Sequence, residues 1–276
     1  MHTRFGLGGR LRPGAAAIAL VLAGEAALAA PDAKVSEGLR AYLSGDFERA
    51  RATWQGAAAA GDARGQFGLA VLYGTGRGLD KAPSKALRLY RKAAKQGHPT
   101  AAFRVAEAYA EGKGVTPDAG KAEAWYRRAA KAGHASAYTV LGIRYRDGVP
   151  ADTARTVTFY REGARAGYAG AQYNMGNLYA EGRGVESDPA RARAFYRKAA
   201  EQGHRKAALR LGGMYEDGSG GERSHARAAE WYRRAAERGS AAAQLSLAKL
   251  YDRGKGVATD KLAAYKWYRL SATQEG

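Results

Sequence analysis

Cysteine is absent from the 276 residues, so disulfides, thiolate metal sites, a cysteine nucleophile and lipid attachment through an N-terminal cysteine are all excluded. Proline (7), phenylalanine (6) and tryptophan (4) are scarce, and β-branched residues are few, which leaves little with which to fill a thick β core. Acidic residues are in deficit: 26 Asp and Glu stand against 45 Lys and Arg, for a net charge of +19. No apolar run reaches the roughly 20 residues that a membrane-spanning helix needs. What remains is 46% hydrophobic, dominated by Ala, Leu and 17 Tyr, with 37 Gly that follow no collagen period. That mixture suits thin helical layers. The basic excess brings polyanions (nucleic acid, anionic lipid, acidic polysaccharide) into consideration as partners without choosing among them.

Residues 1–29 read as an export leader. Arg4, Arg10 and Arg12 precede an apolar stretch over residues 15–23, and Ala27, Leu28 and Ala29 offer a small-residue cleavage site. Glu25 interrupts the apolar run, which favours cleavage near Ala29 over retention as an anchor. A periplasmic or secreted bacterial protein is the expectation.

Internal repetition decides the fold. Tyr73, Tyr109, Tyr145, Tyr179, Tyr215 and Tyr251 recur at spacings of 36, 36, 34, 36 and 36 residues, and Gly61, Gly97, Gly133, Gly167, Gly203 and Gly239 keep the same step. Trp54, Tyr90, Tyr126, Tyr160, Tyr196, Tyr232 and Tyr268 form a second phase-locked series. Within one unit, Ala171, Met175, Leu178 and Tyr179 fall on one face of a first helix, with Gly176 thinning the wall where a neighbour approaches. Ala192, Phe195, Tyr196, Ala199 and Ala200 do the same for a second helix, opened by Asp188 and Pro189 and closed by Gly203. Neither helix hides its stripe alone, so hairpins must stack on one another.

The pattern A-x-x-x-L-G-x-x-Y-x-x-G-x-G-V, then D-x-x-K-A-x-x-W-Y-x-x-A-A-x-x-G, is met well at residues 101–133, 171–203 and from 243 onward, and it resembles the Sel1-like repeat, a relative of the tetratricopeptide repeat. The resemblance implies an all-α fold, a right-handed α-solenoid or superhelix of stacked helix-turn-helix hairpins. The expected organisation is a signal peptide (1–29), a tetratricopeptide-like capping hairpin (30–60), about six repeats of 34–36 residues (61–272) and a short tail (273–276). Two departures stand out. The third repeat has a short loop, Asp147 to Pro150, so that Pro150 should start the next helix abruptly. In the fifth, Gly218-Ser-Gly-Gly221 stands where Val is usual, which removes an apolar anchor.

Chemistry is sparse. Gly74-Thr-Gly-Arg-Gly78 looks like a phosphate-cradling loop, but it joins two helices and recurs in later repeats, so it is the repeat's own turn. His98, His134 and His204 each follow a closing Gly at equivalent spots in separate hairpins, too far apart to share a metal. No serine sits in a recognisable local triad motif. Some cysteine-rich secreted relatives bind or hydrolyse β-lactams, but this chain has neither their cysteines nor a Ser-x-x-Lys at a helix start. The expectation is a non-enzymatic protein with no cofactor and no metal.

Surface positions then carry the function. In tetratricopeptide-like hairpins the first helix lines a concave groove, and that resemblance places Phe67, Phe103, Thr139, Tyr173, Leu209 and Leu245 in one inward row and Val71, Glu107, Ile143, Asn177, Gly213 and Lys249 in the next. Phe67, Phe103, Glu107, Ile143, Tyr173 and Asn177 are the candidate partner contacts, although the same rows could instead pack as core against the next repeat. Arg91 with Lys92, Arg127 with Arg128, Arg197 with Lys198, and Arg233 with Arg234 follow the second-helix Tyr and are expected along an outer basic ridge. Two function classes follow. One is a monomeric cell-envelope adaptor or regulator binding a protein or peptide in its groove, and the other an envelope scaffold whose ridge grips acidic polysaccharide or lipid headgroups. Nucleic acid is the least favoured partner, since no aromatic-basic interleaving of a single-strand binder is present.

Overall fold

A computed structural model describes residues 33–148 and 151–273; residues 1–32, which include the expected leader at 1–29, Val149, Pro150 and residues 274–276 lie outside the described residues. Among the described residues there are fourteen helices and no strand. They are α1 (Ala33–Ser44), α2 (Phe47–Ala59), α3 (Ala63–Thr75), α4 (Pro83–Lys95), α5 (Pro99–Glu111), α6 (Ala119–Lys131), α7 (Ala135–Arg146), α8 (Thr153–Arg165), α9 (Ala169–Glu181), α10 (Pro189–Glu201), α11 (Arg205–Asp217), α12 (His225–Glu237), α13 (Ala241–Arg253) and α14 (Lys261–Ala272). The chain divides into two compact units between His134 and Ala135. Within each unit consecutive helices pack as antiparallel hairpins, giving the stacked all-α solenoid architecture expected from the repeats. No described helix is long and apolar enough to cross a membrane.

Each helix starts and stops where its sequence dictates. Asp188 caps α10 by accepting from the Arg191 N–H at 2.9 Å, Pro189 occupies the first turn where its missing N–H costs nothing, and Gly203 turns the chain at φ 84°. α8 starts at Thr153 under an Asp152 cap that accepts from Arg155 N–H, so the abrupt start expected at Pro150 is replaced by an ordinary capped one. The histidines take the same duty on first helices. His98 Nδ1 accepts from Ala101 N–H and His204 Nδ1 from Ala207 N–H, both at 3.2 Å. Each imidazole also stacks on an aromatic of the preceding hairpin: His98 on Phe67 (4.5 Å between centroids), His134 on Phe103 (4.1 Å) and His204 on Tyr173 (4.7 Å).

The core aromatics come mainly from the second helices. Trp54, Tyr126, Tyr160, Tyr196 and Tyr232 are buried, whereas in the first-helix series Tyr109 and Tyr215 are buried and Tyr73, Tyr145, Tyr179 and Tyr251 are half-buried. The reason is close approach by glycine. A Cβ placed on Gly142 would lie 2.2 Å from the Tyr160 ring, on Gly176 2.6 Å from the Tyr196 ring and on Gly212 2.5 Å from the Tyr232 ring. The ring lies flat on the first helix's backbone, and no other residue admits it there. Loop glycines play the corresponding part between hairpins. Gly114, Gly220 and Gly256, all at positive φ, rest on the backbone at the start of α4, α10 and α12, at 2.5, 2.2 and 2.2 Å from a notional Cβ.

Candidate functional site

Two cavities occupy equivalent places in the two units. In residues 33–134, α3, α4 and α5 enclose about 350 Å³ over an apolar floor of Phe67, Val71, Ala86, Leu87 and Tyr90, with Lys81, Arg104, Glu107 and Lys113 at the rim. In the second unit, α9, α10, α11 and α12 enclose about 800 Å³, lined among others by Tyr173, Tyr196, Leu209, Arg210, Gly213 and Tyr232. Phe67 and Tyr173, Tyr90 and Tyr196, Arg104 and Arg210, and Glu107 and Gly213 are counterparts three repeats apart. The repeat therefore builds the same depression twice with different decoration. The first is apolar with a basic rim; the second is wider and walled by three tyrosines.

The electrostatics follow from burial. Arg104 Nη1 meets Glu107 Oε2 at 2.7 Å on one face of α5, an i,i+3 pair at the rim. Burial pushes the Tyr90 phenol well above its ordinary range, so it stays neutral at the cavity floor. Tyr196 is pushed up to about 12, again chiefly by burial, and its hydroxyl donates to Asn177 Oδ1 at 2.7 Å. Tyr232 is raised by burial and by Glu216, whose Oε2 accepts its proton at 2.7 Å. The cavities thus offer neutral hydroxyls, apolar walls and cationic rims. They suit binding. Ser246 and Lys249 do have Ser-x-x-Lys spacing, but they lie in the interior of α13, away from a helix start.

The six expected groove residues are divided between the units and among roles. Glu107 stands on the rim of the first cavity, and Tyr173 lines the second. Phe67, expected as an inward-facing contact, is 1% exposed; its ring is the cavity floor, held between His98 and Tyr90. Phe103 is half-buried, stacked on His134 and edge-on to Tyr126. Ile143 packs against the core cluster of Val157, Tyr160, Met175 and Leu178. Asn177 is engaged by Tyr196. In the remaining places of the two rows, Val71 is buried, Thr139, Leu209 and Gly213 are half-buried, and Leu245 and Lys249 are exposed. The spread has a simple cause: the rows are not equivalent, because α3 and α9 face the cavity that follows them whereas α5 and α11 face the one that precedes them. Arg104 and Arg210, one residue along from the expected row, and the second-helix tyrosines were missed for this reason. A helical-wheel comparison of adjacent first helices, not of one helix alone, would have found the arginines.

The basic ridge is equally uneven. Arg91 and Arg233 are half-buried, each reaching the next hairpin to donate to a tyrosine hydroxyl, Tyr109 and Tyr251 respectively, because a guanidinium can stack on a phenol ring and bond its oxygen together. Arg127 pairs with Glu123 at 2.9 Å and Arg234 with Glu230 at 2.7 Å. Arg128 lies over Trp125 and donates to the Lys95 carbonyl. Lys92, Arg197 and Lys198 are exposed. The eight residues form a set of local anchors with a few open cations between them.

The Sel1 repeat pattern matches residues 63–98, 99–134, 135–168, 169–204, 205–240 and 241–275. Among solved structures, a protective antigen present in uropathogenic Escherichia coli strains, displaying an SLR fold, is 36% identical with a TM-score of 0.73, the match covering 82% of this chain and 49% of that one. The chain thus spans about half that antigen's length. A Sel1 repeat protein from Oxalobacter formigenes is 28% identical with a TM-score of 0.66 over 87% of this chain and 97% of its own. No curated protein matches. Proteins of this type are typically protein-interaction scaffolds and generally not catalysts. With six consecutive matched repeats whose helical hairpins stack as their glycines and tyrosines require, the chain belongs to the Sel1 repeat family.

Proposed function

We propose that this Sel1 repeat protein is a non-enzymatic, monomeric adaptor of the bacterial cell envelope, exported by residues 1–29, that holds a peptide segment of a partner protein against its first-helix face. The observation that carries the reading is the pair of equivalent cavities, each with an aromatic or aliphatic floor and an arginine at the same rim position, Arg104 and Arg210. An apolar side chain entering such a depression releases water from its walls, while backbone and polar groups remain at the rim, the usual division of labour in peptide recognition. No cofactor or metal enters the reading.

The test is photocrosslinking in the native envelope from two positions. A crosslinker replacing Thr75, on the rim of the first cavity, should capture a partner protein, whereas one replacing the exposed Lys92 should not. Capture from Lys92 alone would move the interaction to the outer basic face. Binding through the cavities should change little with salt; a steep loss of affinity with salt would favour acidic polysaccharide or lipid headgroups on the ridge instead. Fractionation of the envelope checks the location, and light scattering the monomer.

A further inference from the structure

One of the two departures in the repeat pattern has a counterpart in the preceding repeat. At a fixed position in the second helix the chain carries Leu87, Val157 and Ala229, all buried, and in other hairpins Arg51, Glu123 and Tyr265. The loop valine of the following repeat belongs with the buried ones: Val185 packs into the cluster of Val157, and Val257 into that of Ala229. In α10 the same position is Arg193, and in the loop after α11 the valine is Gly221. The two changes fit each other. A Cβ at Gly221 would lie 2.6 Å from Arg193 Nη1, so the glycine makes the room that the guanidinium occupies.

Arg193 is fixed there by two contacts. Its Cζ lies 3.8 Å from the centroid of the Tyr215 ring, and its Nη2 donates to the Glu222 carbonyl at 2.9 Å. Arg227, from the first turn of α12, approaches the same ring at 5.6 Å. Arg197, one turn beyond Arg193 on α10, completes the lining of a pocket of about 240 Å³ whose other walls include Ala190, Ala194 and Gly220. Glu222 supplies the one carboxylate of the lining. Three guanidiniums that cannot discharge by losing a proton therefore share a pocket with a single acid, an arrangement that a bound anion would relieve.

We propose that this pocket binds a tetrahedral oxyanion, a phosphate or sulfate group. A planar carboxylate is satisfied by one bidentate fork, whereas forks arriving from α10 and α12 suit a group with three or more oxygens. Stacking on Tyr215 holds Arg193 in place before the anion arrives, so little side-chain entropy remains to be lost. The site is independent of the cavities on the first-helix face.

The experiment is calorimetric titration of the full chain at low salt with inorganic phosphate, sulfate and glycerol 3-phosphate. Saturable one-to-one binding that weakens as chloride is added is the expected result. Tighter binding of the ester than of inorganic phosphate would show that the natural group is carried on a larger molecule; equal binding would show a free anion. The variant Arg193→Leu, with Gly221 kept because its φ of 150° disfavours a side chain, should keep its helical signal while losing about tenfold or more in affinity. Arg227→Gln, at an exposed position, should lose affinity without touching the interior, and Glu222→Gln should gain it. Absence of saturable binding to the parent protein with all three probes, or unchanged affinity in both arginine variants, overturns the proposal.

Discussion

Gly212 and Gly213 are neighbours in α11, yet alanine should move stability in opposite directions at the two. At Gly212 the new Cβ would stand 2.5 Å from Tyr232 Cδ1 and 2.6 Å from Cε1, nearly an ångström inside normal contact. The ring cannot slide freely, because its hydroxyl donates to Glu216 Oε2 at 2.7 Å. Overpacking of this kind costs about 1–3 kcal/mol. Stretching a hydrogen bond to a charged acceptor adds about 1 kcal/mol, and the helix preference for alanine returns about 1 kcal/mol. The net expectation for Gly212→Ala is a loss of about 2 kcal/mol. At Gly213 the Cβ meets only the Tyr232 hydroxyl, at an ordinary 3.7 Å, so helix preference acts alone and Gly213→Ala should gain about 0.5–1 kcal/mol. Urea melts followed by circular dichroism measure both, and equal m-values would show that the same unit unfolds in each variant. Shifts of the same sign would refute the claim that a flat ring on bare backbone, and not glycine's flexibility, explains Gly212.

Three buried tyrosine hydroxyls give a graded series. Tyr160 makes no hydrogen bond through its hydroxyl among the described residues, so Tyr160→Phe should be neutral or stabilise by up to about 1 kcal/mol, whereas Tyr196→Phe should cost about 1 kcal/mol and Tyr232→Phe, which leaves Glu216 unpaired, about 1.5–3 kcal/mol; a reversed order in denaturant melts would contradict the bonding pattern. His204 should make stability depend on pH. Burial, helped by Lys206, holds its imidazole below the ordinary 6.5, so the folded chain resists a proton that the unfolded chain accepts; its contribution is complete above about pH 6.5 and is lost as pH falls below that. His204→Ser keeps a capping oxygen but cannot titrate, so the parent's stability relative to this variant should fall as the pH drops from 7.5 to 5.5, and a constant difference across that range would refute the cap.

The periodic tyrosines and glycines were enough to draw the hairpins, because each helix boundary is fixed by residues within a few positions of it: Asp188, Pro189 and Gly203 around α10 act locally. The candidate site was less legible. Phe67 and Leu245 hold the same place in their helices, yet one is buried and the other exposed, since exposure depends on what the next hairpin brings. His98 covers Phe67, and nothing stacks in the same way on Leu245 among the described residues. Arg193 and Gly221 illustrate the same limit. Each is a mild oddity alone, and their meaning lies in a contact between repeats 28 positions apart in the chain. Sequence periodicity reports the average repeat, while binding chemistry resides in paired deviations from it.

Because Gly114, Gly220 and Gly256 rest directly on the main chain that opens the preceding second helix, the step from one hairpin to the next is measured backbone to backbone. Side-chain volume does not enter that distance. The lining of a cavity or an outer pocket can therefore differ from repeat to repeat, as with Gly221 in place of the usual valine and Arg193 where Val157 and Ala229 stand in neighbouring hairpins, while Gly220 keeps the spacing. Spacing and message are carried by different atoms, so a chain of this design can take on a new ligand without first solving its fold again.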